Sequence, residues 1–385
     1  MSTMAHSEKI IVGVSGGVDS SVAAILLLEQ GYEVEALFMK NWDESDEAGA
    51  CIWEADVEDA LAVCEKLGIR LNTVDLSQAY WHKVFRQFLD EYSRGRTPNP
   101  DILCNQEIKF RAFLDHAASL DAARIATGHY ADIRLHEGRH LLYKGADLNK
   151  DQSYFLCRLT QEQLGQSLFP LGALKKPEVR ARAKKHGLAT HDKKDSTGIC
   201  FIGERPFRDF LSHYLPVRTG PIRTTEGRDI GEHAGVHFYT LGQRRGLGIG
   251  GVKGYPEKPW YVVAKEVGDN VLTVAQGHDH PALFSAGLVA SNLHWIAGAP
   301  DLPLACSVKT RYRQSDQPCT IALAGGDRVR VNFMRPQRAV TPGQYAVFYD
   351  RNLCLGGGVI ETTLNAYPEQ VTLDSDTQTD KEEEI

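Results

Sequence analysis

The sequence predicts an α/β protein: a doubly wound parallel sheet followed by two small β-barrel-like domains. Three observations predict it. Short apolar runs alternate with helical stretches through the first half of the chain, the rhythm of strand–helix–strand units. A glycine-rich segment joins the first such run to the first helix. Past about Pro216 the helical period gives way to alternating residues and glycine-containing turns, as in small barrels.

Each element has its own justification. Lys9–Val14 is a continuous apolar run, as expected for a strand buried on both faces. Residues 19–30 form an apolar helix stopped by Gly31. Residues 33–39 are a second strand. Glu54–Leu67 sets Val57, Leu61, Cys64 and Leu67 on one helical face. Residues 69–75 are a third strand, 80–92 and 108–120 are helices, and 123–127 are a fourth strand. An irregular Gly/Pro segment, 95–105, separates the two helices. Residues 131–143 alternate and turn at Glu137-Gly138, a hairpin. Helices return at 177–186 and 206–213. Later hairpins turn at 268–270 and 350–352, and Val329, Val331 and Phe333 alternate with Arg328, Arg330 and Asn332. The expected units are 1–215, 216–280 and 281–366, with a disordered acidic tail at 367–385.

At 385 residues, 42% hydrophobic and 24% charged, the chain has the composition of a globular protein of two or three domains, which excludes fibrous classes. No apolar run reaches about 18 residues, so no membrane span is expected. Polar residues 1–9 lead straight into a strand, so no signal peptide is expected and the chain reads as cytoplasmic. The net charge of −7 conceals segregation. Residues 369–385 carry −6, residues 40–60 carry −7, residues 175–228 carry +7 and residues 309–338 carry +5. Local basic blocks can hold a polyanion whatever the total.

The first turn reads Gly13, Val14, Ser15, Gly16, Gly17, Val18, Asp19, Ser20. It lacks the Gly-Lys-Ser/Thr ending of a Walker loop and the glycine spacing of a dinucleotide fingerprint. The physics is shared with both: glycines admit phosphate oxygens, and backbone amides and a helix N-terminus supply positive potential. Asp19 is out of place in a bare anion site, and a metal ion held with the phosphates would explain it.

Two of the eight cysteines stand in polar, turn-rich segments. Cys104 follows the loop Thr97-Pro98-Asn99-Pro100-Asp101 and precedes a helix, where a thiolate is favoured. Asp101, three residues away, could handle a proton. Cys200 lies in Gly198-Ile199-Cys200-Phe201-Ile202, just after Lys193 and Lys194. Cys64, Cys157, Cys306, Cys319 and Cys354 lie in apolar or strand-like runs and read as core. Cys51, in the acidic loop, has no assignment. No zinc spacing occurs.

The first turn resembles the loop of the N-type ATP pyrophosphatases. The order of that loop, the 97–105 loop, Thr127-Gly128-His129-Tyr130, Lys150-Asp151-Gln152-Ser153-Tyr154, the Cys200 segment and Gly242-Gln243-Arg244-Arg245-Gly246-Leu247-Gly248 is similar to that of the bacterial tRNA-specific 2-thiouridylase family, from about Lys9 to about Thr362. The resemblance implies an adenine nucleotide alpha hydrolase-like first domain and ATP cleaved to AMP and diphosphate. The C2 oxygen of the wobble uridine in tRNAs for lysine, glutamate and glutamine would be adenylated and replaced by sulfur. It implies ATP at residues 13–20 with Met39 and Gly128, and Mg²⁺ arriving with the nucleotide rather than in a stable protein site. It implies a persulfide on Cys200, a transient Cys104–Cys200 disulfide, and Asp101 as general acid/base. Hydrogen sulfide released before attack is the alternative route. Asn99, Pro100 and Asp101 would meet the target base, with Lys150, Asp151 and Gln152 nearby. Arg311 and Tyr312, a cation beside an aromatic, suit phosphate contact and stacking. The partners implied are the tRNA anticodon stem-loop and a sulfur-relay or cysteine desulfurase-linked persulfide donor, with no membrane.

Two other readings compete. A small-molecule adenylating enzyme would not need two cysteines or basic β domains. A non-enzymatic RNA-binding protein would not need an intact phosphate loop. A variant of the thiouridylase reading uses an iron–sulfur cluster as sulfur carrier: two cysteines are too few for a four-cysteine site, and Asp101 is a conceivable third ligand.

Overall fold

The computed structural model describes residues 8–42, 53–194 and 207–366. Cys51, Cys200 with the rest of 198–202, and the acidic tail lie outside the described residues.

The first half contains strands β1 (Lys9–Val14), β2 (Glu33–Lys40), β3 (Leu71–Asp75), β4 (Arg124–Ala126), β5 (Ala131–His136), β6 (Arg139–Lys144) and β7 (Ser167–Leu168). Among the described residues, five form a parallel sheet in the order β3-β2-β1-β4-β7. Both faces are covered, as the apolar run of β1 requires. Ile10 and Val12 pack with Ala23 and Leu27 of α1 (Val18–Glu29) and with Cys64 of α2 (Glu54–Leu67). Ile11 points the other way, toward Leu37, Ile102, Phe113 and Ile125.

One expectation is corrected here. Residues 95–105 are not irregular throughout, because Pro100–Cys104 is α-helical and continues through a π-helical stretch, Asn105–Ala112, into Phe113–Ser119. Extended Asn99 precedes the first turn and Pro100 opens it. Proline suits that position because its φ is already helical and its missing N–H would have had no partner there.

The second half begins with β8 (Gly220–Thr224), β9 (Asp229–His233), β10 (Trp260–Glu266) and β11 (Val271–Gln276), a four-stranded sheet in the order β10-β11-β8-β9. Its apolar side chains Ile222, Val262, Leu272 and Val274 join Tyr80, Phe85 and Phe88 of the first domain in one core.

The last strands are β12 (Phe284–Trp295), β13 (Leu304–Lys309), β14 (Gln317–Leu323), β15 (Val329–Arg338), β16 (Tyr345–Asp350) and β17 (Leu353–Asn365). They run β12-β15-β14-β13-β16-β17, and β12 pairs back onto β17, so the sheet closes as a barrel. Closure removes the exposed edges that a short open sheet would leave. The interior holds Leu288, Val308, Ile321, Val331, Phe348 and Ile360. The β5–β6 hairpin leaves the parallel sheet and extends this one, with Leu353 opposite Tyr143 and Cys354 opposite Leu142.

Candidate active site

The phosphate loop leaves β1 at the carboxyl end of the parallel sheet, where doubly wound sheets bind ligands. Gly16 has φ +65°, and a Cβ there would fall 2.5 Å from the Asp56 carbonyl oxygen of α2. The position therefore needs glycine for both backbone and space. The Ser15 N–H donates to Ser20 Oγ at 3.2 Å, and the Ser20 and Ser21 hydroxyls donate to the Gly17 carbonyl. These bonds hold the loop in a tight curl over the start of α1. Gly128 follows β4 and touches that start, because a Cβ on it would lie 2.8 Å from both Asp19 C and Ser20 N. Met39, next to last in β2, lies close to Gly13. The structure thus gathers residues 13–20, Met39 and Gly128 around one cradle.

Asp19 is held by two residues, of which the sequence did not single out Lys176. Lys176 Nζ lies 2.8 Å from each Asp19 carboxylate oxygen, and the Tyr130 hydroxyl donates to Oδ1 at 2.7 Å. Lys176 is buried, and its backbone N–H is tied to Asp147 Oδ2. It lies 157 residues from Asp19 and carries no motif. Tyr130 did carry a signal, as the last residue of the 127–130 motif.

Asp101 and Cys104 sit one turn apart on the helix opened by Pro100. Ile102 shares a core cluster with Ile11, Leu37 and Phe113, and the partly buried Met39 packs against that cluster. Gly13 opens the loop against two members of this cluster, since a Cβ on it would lie 2.9 Å from Phe113 and 3.5 Å from Met39. The expected setting of Cys104 is corrected. It is not in a polar turn but fully buried, in a cluster with Trp42, Tyr80, Val84, Phe85 and Ile108. The earlier helix start turns its side chain inward.

The loop before this helix is gripped from two sides. The Thr97 N–H donates to the Pro342 carbonyl at 3.0 Å, and Gln344 Nε2 donates to the Thr97 carbonyl at 2.8 Å and the Pro98 carbonyl at 3.2 Å. Thr97 Oγ1 lies 3.3 Å from Thr240 Oγ1 in the central unit. Asn99 and Pro100 line a cavity of about 150 Å³ with Glu91, Arg96, Asn292 and Tyr345. Among the described residues, the buried Asn99 side-chain oxygen has no hydrogen-bond partner.

Lys193 lies two residues before the undescribed 195–206 segment. Its Nζ binds Asp56 Oδ1 at 2.9 Å and Asp59 Oδ2 at 2.5 Å, beside Gly16. Desolvation opposes its charge, but the two carboxylates outweigh it and hold its pKa above the usual lysine value.

Most of the other candidate RNA contacts are already engaged by protein groups, though only Asp151 among them is buried. Asp151 is buried and accepts from Gly145 N–H, Ser153 N–H, the Ser153 hydroxyl and Lys309 Nζ. Gln152 exchanges hydrogen bonds with the Tyr130 backbone. Arg311 donates to the carbonyls of Leu241 and Ala339 and to Thr341 Oγ1. Tyr312 packs on Phe155 with ring centroids 4.3 Å apart, and burial pushes its phenol up to about 12. Lys150 is half-buried at the start of this segment. His129 is buried against Phe110 and Phe169 with Nδ1 2.7 Å from Thr127 Oγ1, and desolvation holds its pKa well below 6.5.

Family comparison agrees with this layout. A family model described as a tRNA methyl transferase HUP domain matches residues 8–204. A tRNA methyl transferase PRC-barrel domain matches 208–276, and an aminomethyltransferase beta-barrel domain matches 285–360. The tRNA-specific 2-thiouridylase MnmA of Methylococcus capsulatus is 60% identical over 93% of this chain and 97% of its own. The chain belongs to the tRNA-specific 2-thiouridylase family. Another 2-thiouridylase, from Proteus mirabilis, is 59% identical over 93% of this chain and 98% of its own. A solved 4-thiouridine synthetase–RNA complex with bound ATP aligns at 18% identity over 54% of this chain and 50% of that one, with a TM-score of 0.33, too loose to argue from. No helix among the described residues of this 2-thiouridylase-family chain is long and apolar enough to cross a membrane.

Proposed function

We propose that the chain makes 2-thiouridine in tRNA, replacing the C2 oxygen of the wobble uridine by sulfur at the expense of ATP. The observation that carries this reading is that Gly13 of the glycine-rich loop lies against Phe113 and Met39, which pack in the same cluster as Ile102 of the Asp101–Cys104 helix. The family models are described by methyl transfer and the curated relatives by thiolation. A phosphate loop favours thiolation, because transfer from a pre-activated methyl donor leaves ATP cleavage nothing to do.

The loop amides and the N-terminus of α1 would bind the phosphates, with Lys176 adding a cation. Asp19 is the only carboxylate in the loop, and among the described residues no three His, Cys, Asp or Glu side chains form a metal-binding group. That donor set fits Mg²⁺ carried by the nucleotide, with Asp19 as one ligand and phosphate and water supplying the rest. Such an ion would offset phosphate charge.

Asn99 and Asp101 would meet the flipped base, with Asp101 moving the proton. A Cys200 persulfide, loaded by a sulfur-relay or cysteine desulfurase-linked donor, would attack C2 of the adenylated uridine and expel AMP. Cys104 would then attack the Cys200 sulfur, releasing the thiolated base and leaving a Cys104–Cys200 disulfide. The burial of Cys104 supports a thiol kept from premature oxidation. Docking of the anticodon stem-loop of tRNAs for lysine, glutamate and glutamine would involve Lys150 and the surfaces around Asp151, Gln152, Arg311 and Tyr312. These steps belong in the cytoplasm.

The test is to measure ATP cleavage products with and without unthiolated tRNA. AMP and diphosphate should appear only with that tRNA. Cys104→Ser and Cys200→Ser should each abolish thiolation, and only the second should lose persulfide loading. AMP without RNA, or ADP under any condition, would overturn the reading.

A further inference from the structure

Cys306 on β13 and Cys319 on β14 are direct cross-strand partners, and their Sγ atoms are 3.7 Å apart. They share one face of the barrel wall. Cys319 is buried in the barrel core, while Cys306 is partly exposed. Directly opposed residues of an antiparallel pair hold their Cβ atoms about 4.5–5.5 Å apart. A disulfide asks for about 3.5–4.5 Å, so side-chain rotation and a small approach of the strands would close it. The buried pair Cys157 and Cys354 offers no comparable access, since both are fully covered.

The position gives the pair a consequence. The strands that carry it are joined by residues 310–316, which hold Arg311, Tyr312 and Arg313. This connection ties three parts of the molecule together. Arg311 reaches the Leu241 carbonyl of the central unit, Tyr312 packs on Phe155 of the first domain, and Asp316 binds Lys144 of the β5–β6 hairpin. Lys309, at the end of β13, reaches Asp151.

We propose that Cys306 and Cys319 form a reversible disulfide that staples the base of this hairpin when a low-molecular-weight disulfide is present. The partly exposed Cys306, as its thiolate, attacks that disulfide, forms a mixed disulfide and expels one thiol. The Cys319 sulfur then attacks Cys306 Sγ, forms the intramolecular bond and expels the second thiol. Two protein thiols are oxidised, one small disulfide is reduced to two thiols, and the two protons end on the released thiols. In the reduced pair, the hydrogen bond to Cys306 and burial push the Cys319 thiol above the ordinary value. The reaction does not depend on ATP, on RNA or on the Cys104 and Cys200 chemistry.

The test treats the full chain with oxidised glutathione, blocks remaining thiols with iodoacetamide and maps tryptic peptides. Cleavage after Lys309, Arg311 and Arg313 places the two cysteines on separate peptides. The expected product is these two peptides joined, lighter than their sum by two hydrogen atoms and separated by dithiothreitol. Amide exchange across 310–316 should slow several-fold in the oxidised chain and should not change in Cys306→Ser. Both cysteines alkylated after oxidation, or glutathione retained on Cys306 without a link, would overturn the proposal. A linked chain with unchanged exchange would overturn the stapling role.

Discussion

At the scale of single residues, Asp19 is an anion in the loop proposed to bind phosphate, and Lys176 with Tyr130 makes that tolerable. The lysine is buried while the carboxylate is only partly so. Removing one partner of such a pair should cost about 1–3 kcal/mol, between the values for exposed and buried pairs. Lys176→Met should therefore lower the unfolding midpoint modestly. It should weaken binding of a non-hydrolysable ATP analogue at least about tenfold, roughly 1.4 kcal/mol, while Lys176→Arg keeps most of the affinity. Calorimetric titration of the folded variants checks this, and an unchanged dissociation constant in Lys176→Met would remove the lysine from the nucleotide site. His129 supplies a pH signature. Desolvation, then the Lys109 charge, holds its folded pKa well below the ordinary 6.5. The unfolded chain therefore takes up the proton first. Stability from this residue is complete above about 6.5 and is lost as pH falls below it toward the lower folded value. Burial shifts His233, His237, His280 and His294 in the same direction. The thermal midpoint should fall between pH 7.5 and 5.5, and the fall should shrink in His129→Asn. Equal falls in both proteins would contradict the assignment.

At the scale of elements, strands β1 to β4 of the parallel sheet and the helices packed on them were legible because period and burial agree there, whereas the two-residue β7 is too short to carry a period. Ile10 and Val12 face one layer and Ile11 the other, so β1 could be nothing but a covered strand. Helix α2 places Cys64 inward from its periodic face, though Leu61 from the same stripe is 48% exposed. The helix opened by Pro100 was not legible. Its first turn reads Pro-Asp-Ile-Leu-Cys just after Pro98 and Asn99, and local turn chemistry argued for a loop. Packing of Ile102 and Cys104 on opposite neighbouring cores overrides that preference. The same mechanism moved Cys104 from a polar setting to a buried one. Arg311 and Tyr312 show the limit of reading pairs from composition. A cation next to an aromatic suits RNA, but here three oxygen acceptors and the Phe155 ring already engage them.

At the scale of the whole molecule, the three family-model segments are not three separate bodies. The β5–β6 hairpin, coded in the first half, completes the sheet that contains the C-terminal barrel. The core beneath it mixes Ile11, Leu142 and Tyr154 with Tyr345, Val347 and Tyr349. Residues 1–215 expressed alone should therefore expose an unpaired β6 edge and an uncovered core, and should aggregate or lack a cooperative transition. A fragment 1–215 with dispersed amide resonances and a sharp melt would refute this. The sequence by itself determined the strand–helix rhythm, the phosphate loop and the family, since hydrophobic period and a contiguous motif are local properties of the chain. Only the tertiary structure decided that Lys176 meets Asp19 across 157 residues, that Cys104 is buried, that a hairpin changes sheets and that Cys306 faces Cys319. Those are pairings between distant segments, chosen by which faces can be buried together, and no local pattern records that choice.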